Sequence, residues 1–425
     1  MKTKNDISKR AHRSKRVVTL ALSVLMFAVC FSSQAFALNL SGNFQVESRL
    51  FMEEPLYLGQ EKDSGSFAFE PELYQEFSSG SSLTFKPFAR YDSADENRTH
   101  YDIRELFFLT YGDWWEVRAG VDKVYWGQTE SVHLVDIVNQ TDRLESFDGE
   151  DKLGQPLLKL SLLKDSYSLD LFILPYFRAA EFPGKSGRLR SDTNIDADLA
   201  EYESDDKENH LDYAFRYSLF AGDLEFGLSR FAGTARDGSL KPVINEIGIP
   251  LFDADGKITL YPYYEQIEQT GIDLIYVNGA SIWKLESIYR VGQTDLTGTE
   301  NDYSAAVGGI EHTLYGVVGS AVDVGILAEL IYDERGDDAT TPMNHDVMIG
   351  SRFAFNDIAS STLLAGLIYD YENEASILTL EGSRRFTDHW TVEAQAFYIL
   401  NSSEEELTWD IREDSYIEFQ LFYYY

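Results

Sequence analysis

The chain has 425 residues, 44% hydrophobic, 14% aromatic and 25% charged, enough apolar matter for a large folded body and too much for a disordered polypeptide. Its formal net charge of -35 argues against nucleic acid or anionic headgroups as partners and favours bound divalent cations.

The first predicted element is a leader. Lys2, Lys4, Lys9, Arg10, Arg13, Lys15 and Arg16 precede the apolar run VVTLALSVLMFAVCF, and Ala35-Phe36-Ala37 supplies a small-x-small cleavage pattern. Residues 1–37 are therefore expected to be a cleaved signal peptide and residues 38–425 one mature domain. An uncleaved anchor would need ~20 apolar residues, and Val29 is a poor neighbour for lipidation at Cys30. Cleavage removes Cys30, the only cysteine, and leaves 29 basic against 70 acidic residues, a net of -41. No disulfide framework remains, so stability has to come from packing and hydrogen bonds. Nothing after the leader is long and apolar enough for a spanning helix.

From Leu40 onward apolar residues recur at every second position: Leu40, Phe44, Val46, Leu50 and Met52, with Asn43, Gln45, Glu47 and Arg49 between them. That is strand spacing. It predicts strands over 39–53, 66–78, 81–92, 101–112, 114–126, 154–164, 166–178, 211–221, 222–232, 267–278, 280–291, 303–315, 320–333, 344–356, 360–371, 375–386, 389–400 and 413–425, eighteen in all. TLYPYYEQ, within 233–266, could extend one of them. Tight turns such as SSGSS, YGDW, KDS, AGD and NGA alternate with longer polar loops. Short connections at one end and long ones at the other are the pattern of a transmembrane antiparallel up-and-down β-barrel with 16–18 strands. A soluble β-sandwich also alternates, but its strands usually run five or six residues, and these are about twice that. Aromatics group where a membrane belt would lie: Tyr111, Trp114 and Trp115, Tyr125 and Trp126, then Trp283, Tyr289, Tyr315 and Trp390.

The last strand ends YIEFQLFYYY, with Phe419, Leu421, Tyr423 and Tyr425 on one face and Glu418 and Gln420 on the other. A terminal aromatic with apolar residues at alternating earlier positions resembles the assembly signal of bacterial outer-membrane barrels, with Tyr425 in place of the commoner Phe. The resemblance implies a bacterial outer-membrane location and the barrel-assembly machinery as a partner during biogenesis. The block VRAGVDKVYWGQTESVHLVDIVNQTD, residues 117–142, resembles a strand-and-loop block of a large proteobacterial family of outer-membrane proteins related to porins and alginate-export barrels. Val121-Asp122-Lys123 stands where that family usually has Arg-Gln after the glycine. The resemblance implies a Gram-negative, porin-like barrel and does not settle the substrate; small solutes are the expected cargo, lipopolysaccharide bridged by divalent ions the expected neighbour of the acidic external loops, and a homotrimer one admissible assembly.

Phasing each strand by its apolar face turns Lys86, Arg90, Arg104, Arg118, Lys159, Arg178 and Arg216 inward as a basic wall. Glu70, Glu72, Glu76, Glu225, Asp323, Glu329, Glu381, Glu393 and Glu418 turn inward elsewhere as acidic walls. Two readings stay open: a transverse field across a wet channel, or pairs between neighbouring strands that merely satisfy the interior, a role that suits Asp170 and Asp212. The phase at Arg104 is ambiguous because Leu106 and Phe108 compete with Phe107 and Leu109.

Loop 127–153 carries the apolar patch Leu134, Val135, Ile137 and Val138 among Glu130, His133, Asp136, Asp142 and Arg143. Porin-like barrels fold their third external loop inward, so this loop is the candidate constriction; a short amphipathic helix on the rim is the alternative. Asp192, Asn194, Asp196 and Asp198, and Asp253 with Asp255, could hold Ca2+ or Mg2+ in external loops, but neither set completes a calcium-loop spacing and a solvated acidic loop is favoured. No other cofactor is expected. Histidines 100, 133, 210, 312, 345 and 389 lie singly and no nucleophile elbow, His-Glu-x-x-His or phosphate loop is present, so no enzyme is expected. The reading is a channel for passive diffusion of small hydrophilic solutes. Substrate-specific export or uptake of polysaccharide or apolar molecules is one alternative, and a barrel enzyme or surface anchor is another.

Overall fold

A strand with one greasy and one wet face can cross hydrocarbon only if its backbone groups are all paired, and a sheet achieves that by closing on itself. The computed structural model of this protein describes residues 38–145, 147–245, 247–253 and 256–425; the leader expected over 1–37 and Asp255 lie outside them.

The described strands, in chain order, begin with β1 (Leu38–Phe51), β2 (Ser64–Glu76), β3 (Ser82–Asp92), β4 (His100–Tyr111), β5 (Trp115–Asp122), β6 (Gln155–Lys164) and β7 (Tyr167–Leu174). Two short pieces, β8 (Asn194–Ile195) and β9 (Glu201–Tyr202), precede β10 (Asp212–Ala221) and β11 (Leu224–Thr234). Two more, β12 (Ser239–Pro242) and β13 (Thr259–Tyr264), precede β14 (Gln266–Asn278), β15 (Ser281–Thr294), β16 (Glu300–Leu314), β17 (Asp323–Asp333) and β18 (Asp346–Ala354). The chain ends with β19 (Thr362–Asp370), β20 (Ser376–Arg385), β21 (Trp390–Asn401) and β22 (Tyr416–Tyr424). Omitting β8, β9, β12 and β13, these form one 18-stranded sheet in which each strand is antiparallel to its sequence neighbours. The ring closes between β1 and β22, from Asn43 opposite Tyr424 to Phe51 opposite Tyr416.

All eighteen predicted strands are therefore present, and TLYPYY is a separate strand, β13, in a small sheet built from the external loops. Two strands stop earlier than alternation suggests. β5 ends at Asp122 because loop side chains capture the next amides: Val124 donates to Asn139 Oδ1 at 2.9 Å and Trp126 to Asp136 Oδ1 at 2.6 Å. β7 ends at Leu174 because Pro175 has no N–H to offer the ladder. Arg178 is thus a loop residue, not a strand residue. Trp126 is not in an aromatic belt either, since it is buried inside the barrel with its ring 5.8 Å from that of Phe172.

The ambiguous phase at Arg104 has a structural cause. The β3–β4 register shifts between Lys86 and Pro87, pairing Lys86 with Glu105 and Pro87 with Ile103, so Arg104 is the extra residue of a bulge. The β2–β3 ladder also breaks where Pro71 and Pro87 fall, between the Phe69–Ala89 and Leu73–Phe85 pairs.

The outward face is apolar and exposed along its length, with Leu40, Val46, Leu171, Ile272, Leu285, Ile326 and Leu367 among its residues. Tyr91, Tyr101, Tyr213, Tyr289, Tyr332 and Tyr369 lie toward the long-loop end, and Tyr167, Tyr276, Trp283 and Trp390 toward the short-turn end. A band of this kind, bounded by aromatic girdles, is stable only against hydrocarbon, so the barrel is transmembrane.

Candidate functional site

Alternation along β15 puts Trp283 and Leu285 outside and Lys284, Glu286, Ile288 and Arg290 inside. Glu286 is 0% exposed. Its carboxylate accepts from the amides of Gln128, Thr129 and Val135 at 2.5, 2.9 and 3.2 Å and from the Thr129 hydroxyl at 2.8 Å. Two strands further on, Glu329 accepts from the amides of Glu130 and Ser131, each at 2.8 Å, and from the Ser131 hydroxyl at 2.6 Å. Glu130 in turn meets Arg352 of β18 at 2.5 Å. Residues 128–135 belong to the loop that leaves β5, and β18 stands half-way round the ring from β5. Two wall carboxylates thus hold the loop inside the barrel.

The apolar patch explains why the loop enters. Val135, Ile137 and Val138 are fully buried against Leu157, Phe172, Phe231, Ile267, Ile288 and Ala305, which lie on the inward faces of β6, β7, β11, β14, β15 and β16. Burying each such side chain is worth about 2 kcal/mol, so the three together offset part of the entropy of ordering the loop. Asn139 ties the two limbs at their base, its Nδ2 donating to the carbonyls of Asp122 and Leu153 at 2.9 Å. Gly127 permits close packing at the tip: a Cβ there would lie 2.4 Å from Nδ1 of His133.

His133 Nε2 lies 2.9 Å from Glu150, joining the limbs a second time. Burial alone would lower the His133 pKa, but hydrogen bonds and attraction from Glu150 and Glu286 outweigh it and push it up to about 10. Asp151 is pushed up to about 6, chiefly by burial and secondly by repulsion from Glu145. Burial also acts to raise the Glu145 carboxyl, yet Arg90, Arg98 and Arg104 hold it below the usual carboxylate range.

The basic side chains named from the sequence do not stand as a free wall. Lys86 sits 3.2 Å from Glu72 and 3.3 Å from Glu105, Arg90 2.9 Å from Glu47 and 2.7 Å from Glu145, and Arg104 2.5 Å from Asp142. Arg118 meets Glu116 and Asp122 at 2.8 and 3.1 Å, Lys159 meets Asp170 at 3.5 Å, Arg178 meets Asp102 at 2.7 Å and Arg216 meets Asp273 at 2.6 Å. Of the acidic set, Glu72 is in the Lys86 pair, Glu418 holds Arg49 at 2.5 Å and Glu329 clamps the loop. Asp323 sits at the short-turn rim, accepting from the Gly316 amide and from Asn356 Nδ2, both at 2.8 Å. Glu70, Glu76, Glu225, Glu381 and Glu393 have no ion pair among the described residues. At the assembly signal, Phe419, Leu421 and Tyr423 face outward opposite Ser48, Val46 and Phe44, and the Tyr425 amide donates to the Gly42 carbonyl at 3.2 Å.

Within the loop, Asp136 caps the Trp126 and Gly127 amides, and Arg143 reaches Asp237 of the β11–β12 connection at 3.1 Å. What remains is a cavity of about 2540 Å³ between the loop, the external connections and the walls of β18–β22.

In the acidic external loop Asp192 pairs with Lys257, Asn194 lies in β8 opposite Thr259, and Asp196 accepts from the Asp198 amide at 3.0 Å. The Asp192 carboxylate thus serves the connection that carries Lys257, and that of Asp196 its own loop. His100, Asp142 and Glu145 do converge, with ligand atoms within 4.8 Å of one another, but Arg90 and Arg104 already occupy the two carboxylates.

Sequence reasoning missed Glu286, Glu47, Arg98 and Glu145. For Glu286 and Glu47 the signal was present, since both occupy inward positions of alternating segments; Arg98 and Glu145 lie in loops that carry no such pattern.

No family model matches the chain, and no curated protein does. Among solved structures, engineered variants of the Rh. blastica porin align over 92% of this chain and 100% of theirs, at 11% identity and a TM-score of 0.44. Escherichia coli Wzi, described as an outer-membrane protein involved in group 1 capsule assembly and a carbohydrate-binding β-barrel, aligns over 89% of this chain and 83% of its own, at 9% identity and a TM-score of 0.49. At these values the likenesses carry no argument about function, and the closed barrel rests on its own strand pairing.

Proposed function

We propose that this protein is an outer-membrane channel for passive diffusion of small hydrophilic solutes, with loop 127–153 as its constriction. One observation carries the reading. The loop lies inside the barrel, fixed to the opposite wall by Glu286 and Glu329, and a cavity of about 2540 Å³ lined by both polar and apolar side chains persists beside it. A barrel serving only as an anchor has no use for a plug held at one side by buried carboxylates, whereas a channel gains a defined width from it. The basic leader and the terminal aromatic strand suit export and assembly into the outer membrane.

Purified protein in planar bilayers is expected to give discrete conductance steps, and deleting residues 130–146 is expected to enlarge them. Liposome swelling with sugars of increasing size gives the cut-off. Folded, heat-modifiable protein that yields no steps would remove the channel reading.

A further inference from the structure

The seven basic residues named from the sequence are each held within 4 Å of a carboxylate, Arg290 is held by Gln269 and Gln293 instead, and Arg352 pairs with Glu130 at 2.5 Å. Some carboxylates have no such partner. Glu381 on β20 and Glu393 on β21 face the interior on adjacent strands, Glu381 beside Gln395 and Glu393 beside Gln420, with no ion pair among the described residues. Glu381 lines the cavity together with Leu364, Ile368 and Phe397.

An aromatic ledge borders the same opening. Phe147, on the inserted loop, packs edge-on against Phe397 of β21 with centroids 5.6 Å apart, and Phe397 stacks on Tyr416 of β22 at 5.7 Å. Phe147 is 38% exposed and faces the cavity. One patch of the β20–β21 wall therefore carries a carboxylate without an ion pair and, diagonally beside it, the aromatic cluster of Phe397 and Phe147. The cavity-lining cations without an ion pair among the described residues, Arg190, Lys241 and Arg290, lie in the external connections and on β15, not on the β20–β21 wall. An ammonium group gains from both neighbours, because a carboxylate attracts it directly and an aromatic face attracts it through the ring quadrupole.

We propose that the passage between Phe147, Phe397 and Glu381 selects small organic cations that carry an apolar flank. The proposal rests on the channel reading and narrows its solute class.

The test uses the full-length protein in planar bilayers. In a KCl gradient, K+ is expected to permeate about 3- to 10-fold better than Cl-, and Glu381→Gln with Glu393→Gln should bring the ratio toward 1. Benzylammonium should reduce the K+ current at concentrations where benzoate does not. Phe147→Ala, at an exposed loop position that leaves the barrel wall intact, should weaken the benzylammonium effect at least threefold, and an undiminished effect would overturn the aromatic contribution. Anion preference, a ratio unmoved by the double substitution, or equal effects of benzylammonium and benzoate would overturn the proposal while leaving a channel in place. A bilayer with no conductance steps would sink the channel reading and this proposal with it.

Discussion

Glu329 of β17 holds Ser131 of the inserted loop by two hydrogen bonds, from the amide at 2.8 Å and from the hydroxyl at 2.6 Å. With Glu286 it converts a loop that could drape over the rim into a fixed partition of the lumen. Hydrogen bonds to an ionised acceptor are worth about 1.5–3 kcal/mol each, so the clamp competes well with the entropy of a mobile tip.

Replacing the clamp should loosen the tip without unfolding the barrel. Glu286→Gln with Glu329→Gln turns acceptor-only groups into amides whose NH2 opposes the loop's own N–H donors. The double variant is expected to keep its heat-modifiable gel mobility while showing noisier open-channel current and faster proteolysis within 128–135. Quiet current and unchanged proteolysis would show that the apolar patch alone fixes the loop.

Gly127 and His133 should be coupled. Gly127→Ala places a methyl group inside the imidazole, 2.4 Å from Nδ1, so the tip has to shift and single-channel conductance should change. His133→Ala removes the obstacle, and the combined variant should lie nearer His133→Ala than the sum of the two single changes. Additive conductance effects would mean the two residues act separately.

The loop should also respond to alkali. The folded-state pKa of His133 is raised to about 10 from an ordinary 6.5, so its attraction to Glu150 is fully present below about 6.5 and lost as pH rises through about 10. Asp151, raised to about 6, contributes stability that is present below its ordinary value of 3.8 and lost as pH rises through about 6. Current noise recorded from pH 5 to 11 should therefore grow in two stages, and His133→Gln should remove the upper one. A flat profile above pH 8 in the unmodified protein would contradict this assignment.

Arg104 and Asp142 form a buried pair, 3% exposed in each case, that joins the β4 bulge to the loop. Arg104→Ala strands Asp142 without its partner and should cost about 3–5 kcal/mol, read as a lower temperature for the gel-mobility shift. Arg104→Met with Asp142→Leu removes both charges at similar volume and should recover most of that loss. If the double variant melts no higher than Arg104→Ala, the pair is net stabilising in its own right.

Alternation in the chain determined the number and order of the strands and the β1–β22 closure, because which side of a strand a residue occupies depends on its parity and not on its partner. It failed locally where partners intervened: at Arg104, where a bulge admits one extra residue, and after Asp122 and Leu174, where loop acceptors and Pro175 end the ladder. Loop 127–153 was legible as an apolar patch in need of burial. Its destination was not, because the carboxylates that receive it lie 158 and 199 residues away in sequence, and nothing in local spacing pairs Gln128 or Glu130 with them. The basic residues show the same division. Their inward phase is a property of the chain alone, but Arg90, Arg104, Arg178 and Arg216 are neutralised by Glu145, Asp142, Asp102 and Asp273, which only the tertiary structure brings within 4 Å.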